Sequence, residues 1–145
     1  MAAEVGPLFG LGPMTMAPDA SQADHSDLAP PSALRSSRLR DVALWLLRRR
    51  RRFRVTGLSM VPLLKPGEEV LLNPQAYRRS APQPGDLVVA VHPTRPHLRL
   101  IKWVVYGEGG DYFLRGINTA ASTDSRNFGL VPSHCLLGRV VCRFP

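Results

Sequence analysis

The sequence predicts a mainly β domain of short antiparallel strands, with one short helix at its N-terminal end and a disordered tail before that. Two observations carry the strands. Short apolar runs recur from residue 53 onward, and each is closed by proline, glycine or asparagine. A third observation sets the front end: residues 1–37 are rich in Ala, Pro, Gly, Ser and Asp without a sustained period. Such a stretch cannot bury enough apolar surface to offset its ordering entropy. The organisation expected is a tail over 1–37 and one domain over 38–145, the latter opened by a basic lead-in helix over 38–52.

The elements follow in order. Ser37 is the expected N-cap for Arg38-Leu39-Arg40-Asp41-Val42-Ala43-Leu44-Trp45-Leu46-Leu47, which runs into Arg48, Arg49, Arg50, Arg51 and Arg52. Cations at the end of a helix suit its dipole. The uninterrupted apolar run is only Val42 to Leu47, far short of the roughly 20 residues a span needs. The helix reads either as a packing element with a solvated arginine tail or as an interfacial segment on anionic lipid or an acidic substrate. Phe53 to Thr56 is extended and leads into Gly57-Leu58-Ser59-Met60-Val61-Pro62. After the Pro66-Gly67 turn come a strand over residues 69–73, a proline-bearing loop to Pro84 and strands over 87–91, 97–106, 111–115 and 136–141.

A chain of 145 residues with 44% hydrophobic content makes one modest core. The net charge of +8, from 19 Lys+Arg against 11 Asp+Glu, suits an acidic or anionic partner without choosing among peptide, membrane and nucleic acid. Cys135 and Cys142 do not form a metal-binding spacing or a disulfide framework, so they read as buried free thiols in a reducing compartment. His25, His92, His97 and His134 have no ligand spacing, and neither metal nor cofactor is expected. The chain lacks the basic start and continuous apolar core of a secretory signal, and without a span a cytoplasmic location is expected, with peripheral membrane contact through Arg48 to Arg52.

Ser59 is the candidate nucleophile and Lys102 its candidate base. A serine hydroxyl needs a base to take its proton. Lys102 is the only lysine besides Lys65, and it stands inside the apolar run Leu100-Ile101-Lys102-Trp103-Val104-Val105. A lysine at its ordinary pKa of about 10.4 is neutral only about one time in a thousand near neutrality, and burial is what lowers that value. Arginine stays charged and cannot serve. Taken singly, a Gly-x-Ser turn is ordinary loop structure and a strand lysine ordinarily snorkels to solvent.

Together they resemble the serine-lysine peptidases that include the type I signal peptidases. The nucleophile box of that family is similar to Ser59-Met60-Val61-Pro62-Leu63-Leu64, with Leu63 where the family has threonine. Lys102 to Val105 resembles the second box. Gly116-Ile117-Asn118 with Ser122-Thr123-Asp124-Ser125-Arg126-Asn127-Phe128-Gly129 resembles the third, and the wording there looks most like the nickel-type superoxide dismutase maturation proteases. The resemblance covers about residues 52–141.

The resemblance implies a signal peptidase-like fold and a Ser59–Lys102 dyad that removes an N-terminal propeptide, the partner being a protein precursor such as that of nickel superoxide dismutase. Ser122 would orient the amine, and Asp124 with Arg126 would support its loop, to which Ser125 would add only structural support. Met60 would pack beneath the nucleophile and Pro62 would stiffen the turn. Gly57 stands where many members place a serine as second oxyanion donor, which leaves that donor open. Trp103 and Ile117 replace a charged pair by an apolar contact. Two other readings are processing of exported proteins at a membrane and a non-enzymatic nucleic-acid module built on the arginine run. The second leaves all three boxes unexplained, and no nucleic-acid partner is expected.

Overall fold

In the computed structural model, residues 28–145 are described. Helix α1 spans Leu39–Leu46, and seven strands follow: β1 Arg51–Arg54, β2 Glu69–Asn73, β3 Leu87–His92, β4 Arg95–Glu108, β5 Asp111–Arg115, β6 Val131–Pro132 and β7 Leu136–Phe144. A one-turn helix α2, Ser125–Phe128, lies between β5 and β6. The strands form one antiparallel sheet in the order β1-β2-β7-β3-β4-β5-β6, which is the mainly β fold the sequence predicts.

The apolar runs sort into two clusters. One holds Val55, Met60, Leu63, Leu64, Val70 and Trp103 among others, and the second holds Val88, Ala90, Val104, Tyr112, Leu114 and Val131. Alternation along β4 puts Ile101, Trp103 and Val105 in the first cluster and Val104 in the second, and Lys102 shares the face of Val104. The β4–β5 hairpin closes through Gly109 and Gly110, both at positive φ (59° and 90°), the conformation a tight two-residue turn requires. Of the two free thiols, Cys142 is buried and Cys135 only partly so.

The front of the chain departs from expectation in two places. The expected helix over 38–52 ends at Leu46: Arg48 is left-handed (φ 58°), Arg49 and Arg50 form a bend, and Arg51 and Arg52 enter β1. Continued as a helix, the arginines would stack at i,i+3 and i,i+4 and repel. In β1 they alternate, and Arg52 pairs with Glu69 (3.4 Å) while lying over the Trp45 and Phe144 rings (5.8 and 5.7 Å). The helix therefore has no basic residue in its last turn. Its N-cap is Arg38 rather than Ser37, and its start is fixed by Asp41, which accepts from the Arg38 N–H (2.9 Å).

The second departure is the tail. Residues 1–27, where disorder is expected, lie outside the described residues. Residues 34–37, expected within the tail, run along β7 instead: Ser37 N–H donates to Arg143 O, Arg143 N–H donates to Arg35 O (both 2.9 Å), and Arg35 pairs with Asp41 (2.6 Å). The Arg143 guanidinium ties this segment to the nucleophile turn by donating to Leu34 O and Leu63 O. Backbone pairing between segments more than 100 residues apart has no local sequence signal. Among the described residues, no helix is long and apolar enough to cross a membrane.

Candidate active site

Ser59 lies half-buried in the turn after β1, anchored from below. Met60 and Leu64 are fully buried and Leu63 nearly so, all in the first cluster. Each such side chain stabilises by about 1.5–3 kcal/mol, so together they pin the turn to the sheet. Leu64 N–H donates to Met60 O (2.9 Å), and Pro62 faces solvent. The Ser59 carbonyl accepts from Asn118 N–H (2.8 Å), which joins this turn to the segment after β5. Among the described residues, the Ser59 hydroxyl and the N–H groups of Ser59 and Met60 have no hydrogen-bond partner.

Lys102 is only 3% exposed, and its Nζ donates to Ser122 Oγ (3.2 Å). Ser122 Oγ donates in turn to Asp124 Oδ2 (2.8 Å). Asp124 is fully buried and also accepts from Gly116 N–H (3.0 Å), Arg126 N–H (3.1 Å) and Arg126 Nε (2.9 Å). Burial alone would raise the Asp124 carboxyl, but the hydrogen bonds from Arg126, Gly116 and Ser122 outweigh it and hold the pKa at about 2. The carboxylate is thus a fixed acceptor, and the single Ser122 proton points to it. The Ser122 oxygen is left to receive a Lys102 hydrogen. Burial pushes the Lys102 amine down to about 8, with Asp124 acting against this and Arg126 adding to it.

Ser125 points elsewhere. Its Oγ accepts from the buried Leu114 N–H (2.8 Å), holding α2 to β5. Gly57 is exposed, and a side chain there would meet nothing within 4 Å. Ile117 packs on the cluster that contains Trp103, whose indole N–H is buried without a partner. Among the described residues, no group of His, Cys, Asp and Glu could hold a metal, and His25 lies outside them. The Lys102 amine is bonded to Ser122 rather than to Ser59.

Gly116 is the residue whose importance the sequence did not signal beyond its place in the third box. A Cβ there would run into the Ser122 hydroxyl, and would lie 2.6 Å from Ser122 Cβ and 2.7 Å from Ser59 O. The Ser59 turn and the Ser122 loop thus meet across a bare backbone. Gly116→Ala is expected to cost about 1–3 kcal/mol by overpacking. It is also expected to slow turnover on the order of 100-fold by moving one serine relative to the other. Thermal melts and cleavage rates of the variant check both.

The profile described as signal peptidase, peptidase S26, matches residues 47–111 and 108–144. Mitochondrial ATP-independent inner membrane protease subunit 1b of Arabidopsis thaliana is 36% identical over 110 residues, covering 60% of this chain and 65% of the relative. Mitochondrial inner membrane protease subunit 1 of Xenopus tropicalis is 28% identical over 108 residues (61% and 65%). Subunit 2 of Mus musculus is 34% identical over 100 residues (54% and 57%). The chain spans less than two thirds of the length of each. All three are named for an inner membrane, which corrects the cytoplasmic location expected from the missing span. A short amphipathic helix can lie on a bilayer it cannot cross, so the missing span was no guide to location. None of the three is named for a superoxide dismutase.

Proposed function

We propose, from the premise that the chain belongs to the signal peptidase S26 family, that it is a serine endopeptidase in which Ser59 is the nucleophile and Lys102 the general base. The observation that carries this is the chain of hydrogen bonds from Lys102 through Ser122 to Asp124, beside a serine turn whose hydroxyl is unbonded among the described residues. Neutral Lys102 takes the Ser59 proton as Oγ attacks the scissile carbonyl, and it later passes that proton to the leaving amine. The Ser59 N–H, with Met60 N–H as the neighbouring donor, would hold the oxyanion; Gly57 offers no side chain for that purpose. Water activated by Lys102 then releases the acyl group.

The substrate class proposed is a precursor protein that loses an N-terminal segment at a membrane surface. Leu39, Leu46 and Leu47 of the α1 region are 90%, 69% and 70% exposed, and the arginines from Arg48 onward follow them, a combination suited to anionic lipid. A nickel superoxide dismutase precursor is the finer substrate reading, resting on the wording of the third box. The test is incubation of the chain with that precursor and with inner-membrane precursors, reading new N-termini by mass spectrometry. Cleavage of neither by the parent chain, or equal cleavage by Ser59→Ala, rejects the reading.

The pH dependence has a fixed sign. The amine carries a proton below about 8 and is a base only above it. Single-turnover cleavage is expected to rise about tenfold per pH unit below that value and to level off above it. A flat profile counts against Lys102 as base.

The two neighbouring serines separate by readout. Ser122→Ala is expected to slow turnover on the order of 100-fold, because the amine loses its aim, and to cost about 1–3 kcal/mol of stability by removing a partner of the buried Lys102 amine and Asp124. Ser125→Ala orphans the buried Leu114 N–H and is expected to cost about 1–3 kcal/mol of stability while keeping most activity. Rates and melting temperatures of both variants decide between these assignments.

A further inference from the structure

A cavity of about 350 Å³ lies against the start of α1, and its lining includes Arg35, Arg38, Arg40, Arg50, Arg139 and a single acid, Asp41. That acid is occupied: Arg35 holds both its oxygens (2.6 and 2.9 Å) and keeps its pKa at about 2. Arg38, Arg40, Arg50 and Arg139 form no ion pair among the described residues. Arg50 Nε is buried and has no hydrogen-bond partner. Five arginines and one carboxylate therefore line one space, and both oxygens of that carboxylate are already held by Arg35, beside the positive end of a helix. None of them is hydrogen-bonded to Ser59, Lys102 or Ser122.

We propose that this cavity binds a phosphate group, carried either by free phosphate or by a phospholipid headgroup. A phosphate offers acceptors in several directions, so two or more planar arginine forks can bond it at once; a carboxylate satisfies one fork well. The buried Arg50 Nε–H is the donor that gains most, since it has no other partner to bond. The exposed Leu39, Leu46 and Leu47 favour the lipid source, because a headgroup in the cavity would bring acyl chains to that helix. The site stands apart from the peptidase chemistry, and either reading can fail without the other.

Two probes test it on the full chain: inorganic phosphate, followed by thermal melting at constant ionic strength, and flotation with phosphatidylcholine vesicles with or without phosphatidylglycerol. The variants are Arg50→Gln, Arg139→Gln and the pair, with Arg78→Gln as a control from outside the cavity. A saturable phosphate-dependent rise in melting temperature, needing at least tenfold more phosphate in the pair and unchanged in Arg78→Gln, supports the site. Anionic-vesicle binding lowered at least tenfold by the same pair identifies the headgroup as a source. Vesicle binding unaffected by the pair, alongside the phosphate effect, identifies free phosphate. No response of the parent to either probe overturns the proposal, as does a response that the pair retains at parental strength or that Arg78→Gln loses equally.

Discussion

Ser59→Ala and Lys102→Met are each expected to reduce precursor cleavage on the order of 10⁴-fold or more, and the double variant is expected to be no slower than either single variant. The non-additivity follows from the roles proposed for Ser59 and Lys102. Without Oγ there is no acyl-enzyme for Lys102 to serve, and without the amine the Ser59 hydroxyl keeps its proton. Residual rate in all three variants would come from binding and the oxyanion donors, which the substitutions leave in place. Lys102→Arg is an informative companion: it preserves positive charge but cannot become neutral, so it should be as slow as Lys102→Met. Single-turnover kinetics on one substrate measure all four variants. A Lys102→Met variant that cleaves at near the parent rate, or a double variant much slower than both singles, would show that the two residues do not form one proton-transfer unit.

The parts of this site that were legible in the sequence are those with a local chemical signature. Lys102 stands out because it is one of two lysines and lies in an apolar strand, and the structure buries it there. Strands β2 and β5 fall where their apolar residues and bounding turns put them. The arginine run misled because arginine is a good helix former taken singly. What ends the helix is repulsion among neighbours, together with a Glu69 partner on β2 that no local window reveals. The ordering of residues 34–37 is set by Arg143 at the other end of the chain, where pairing, not propensity, decides. Asp124 and Arg126 were legible as a pair. The Ser122 hydrogen bond that aligns Asp124 with Lys102 depends on the β4–β5 register and on the bare backbone at Gly116.

Lys102→Met is expected to lose activity and yet to be more stable than the parent below pH 8. The amine falls from 10.5 in the unfolded chain to about 8 in the folded one, chiefly through burial. At 1.36 kcal/mol per pH unit, that shift costs the folded state about 3 kcal/mol wherever the unfolded lysine is charged and the folded one is too. Because the folded pKa is the lower one, the unfolded chain binds more protons between about 8 and 10.5, and parental stability rises with pH across that window. Below 8 both states are protonated and the full cost is present; above 10.5 neither is, and the cost is gone. Methionine is similar in length and carries no such cost, but it gives up the Ser122 hydrogen bond, so the net gain expected is about 1–3 kcal/mol. Denaturant unfolding of parent and variant at pH 6.5 and at pH 10.5 checks the sign and the window. A variant less stable than the parent at pH 6.5, or an advantage that grows with pH, would mean that the buried amine is stabilised by its neighbours rather than strained by burial, and it would not then be ready to act as a base.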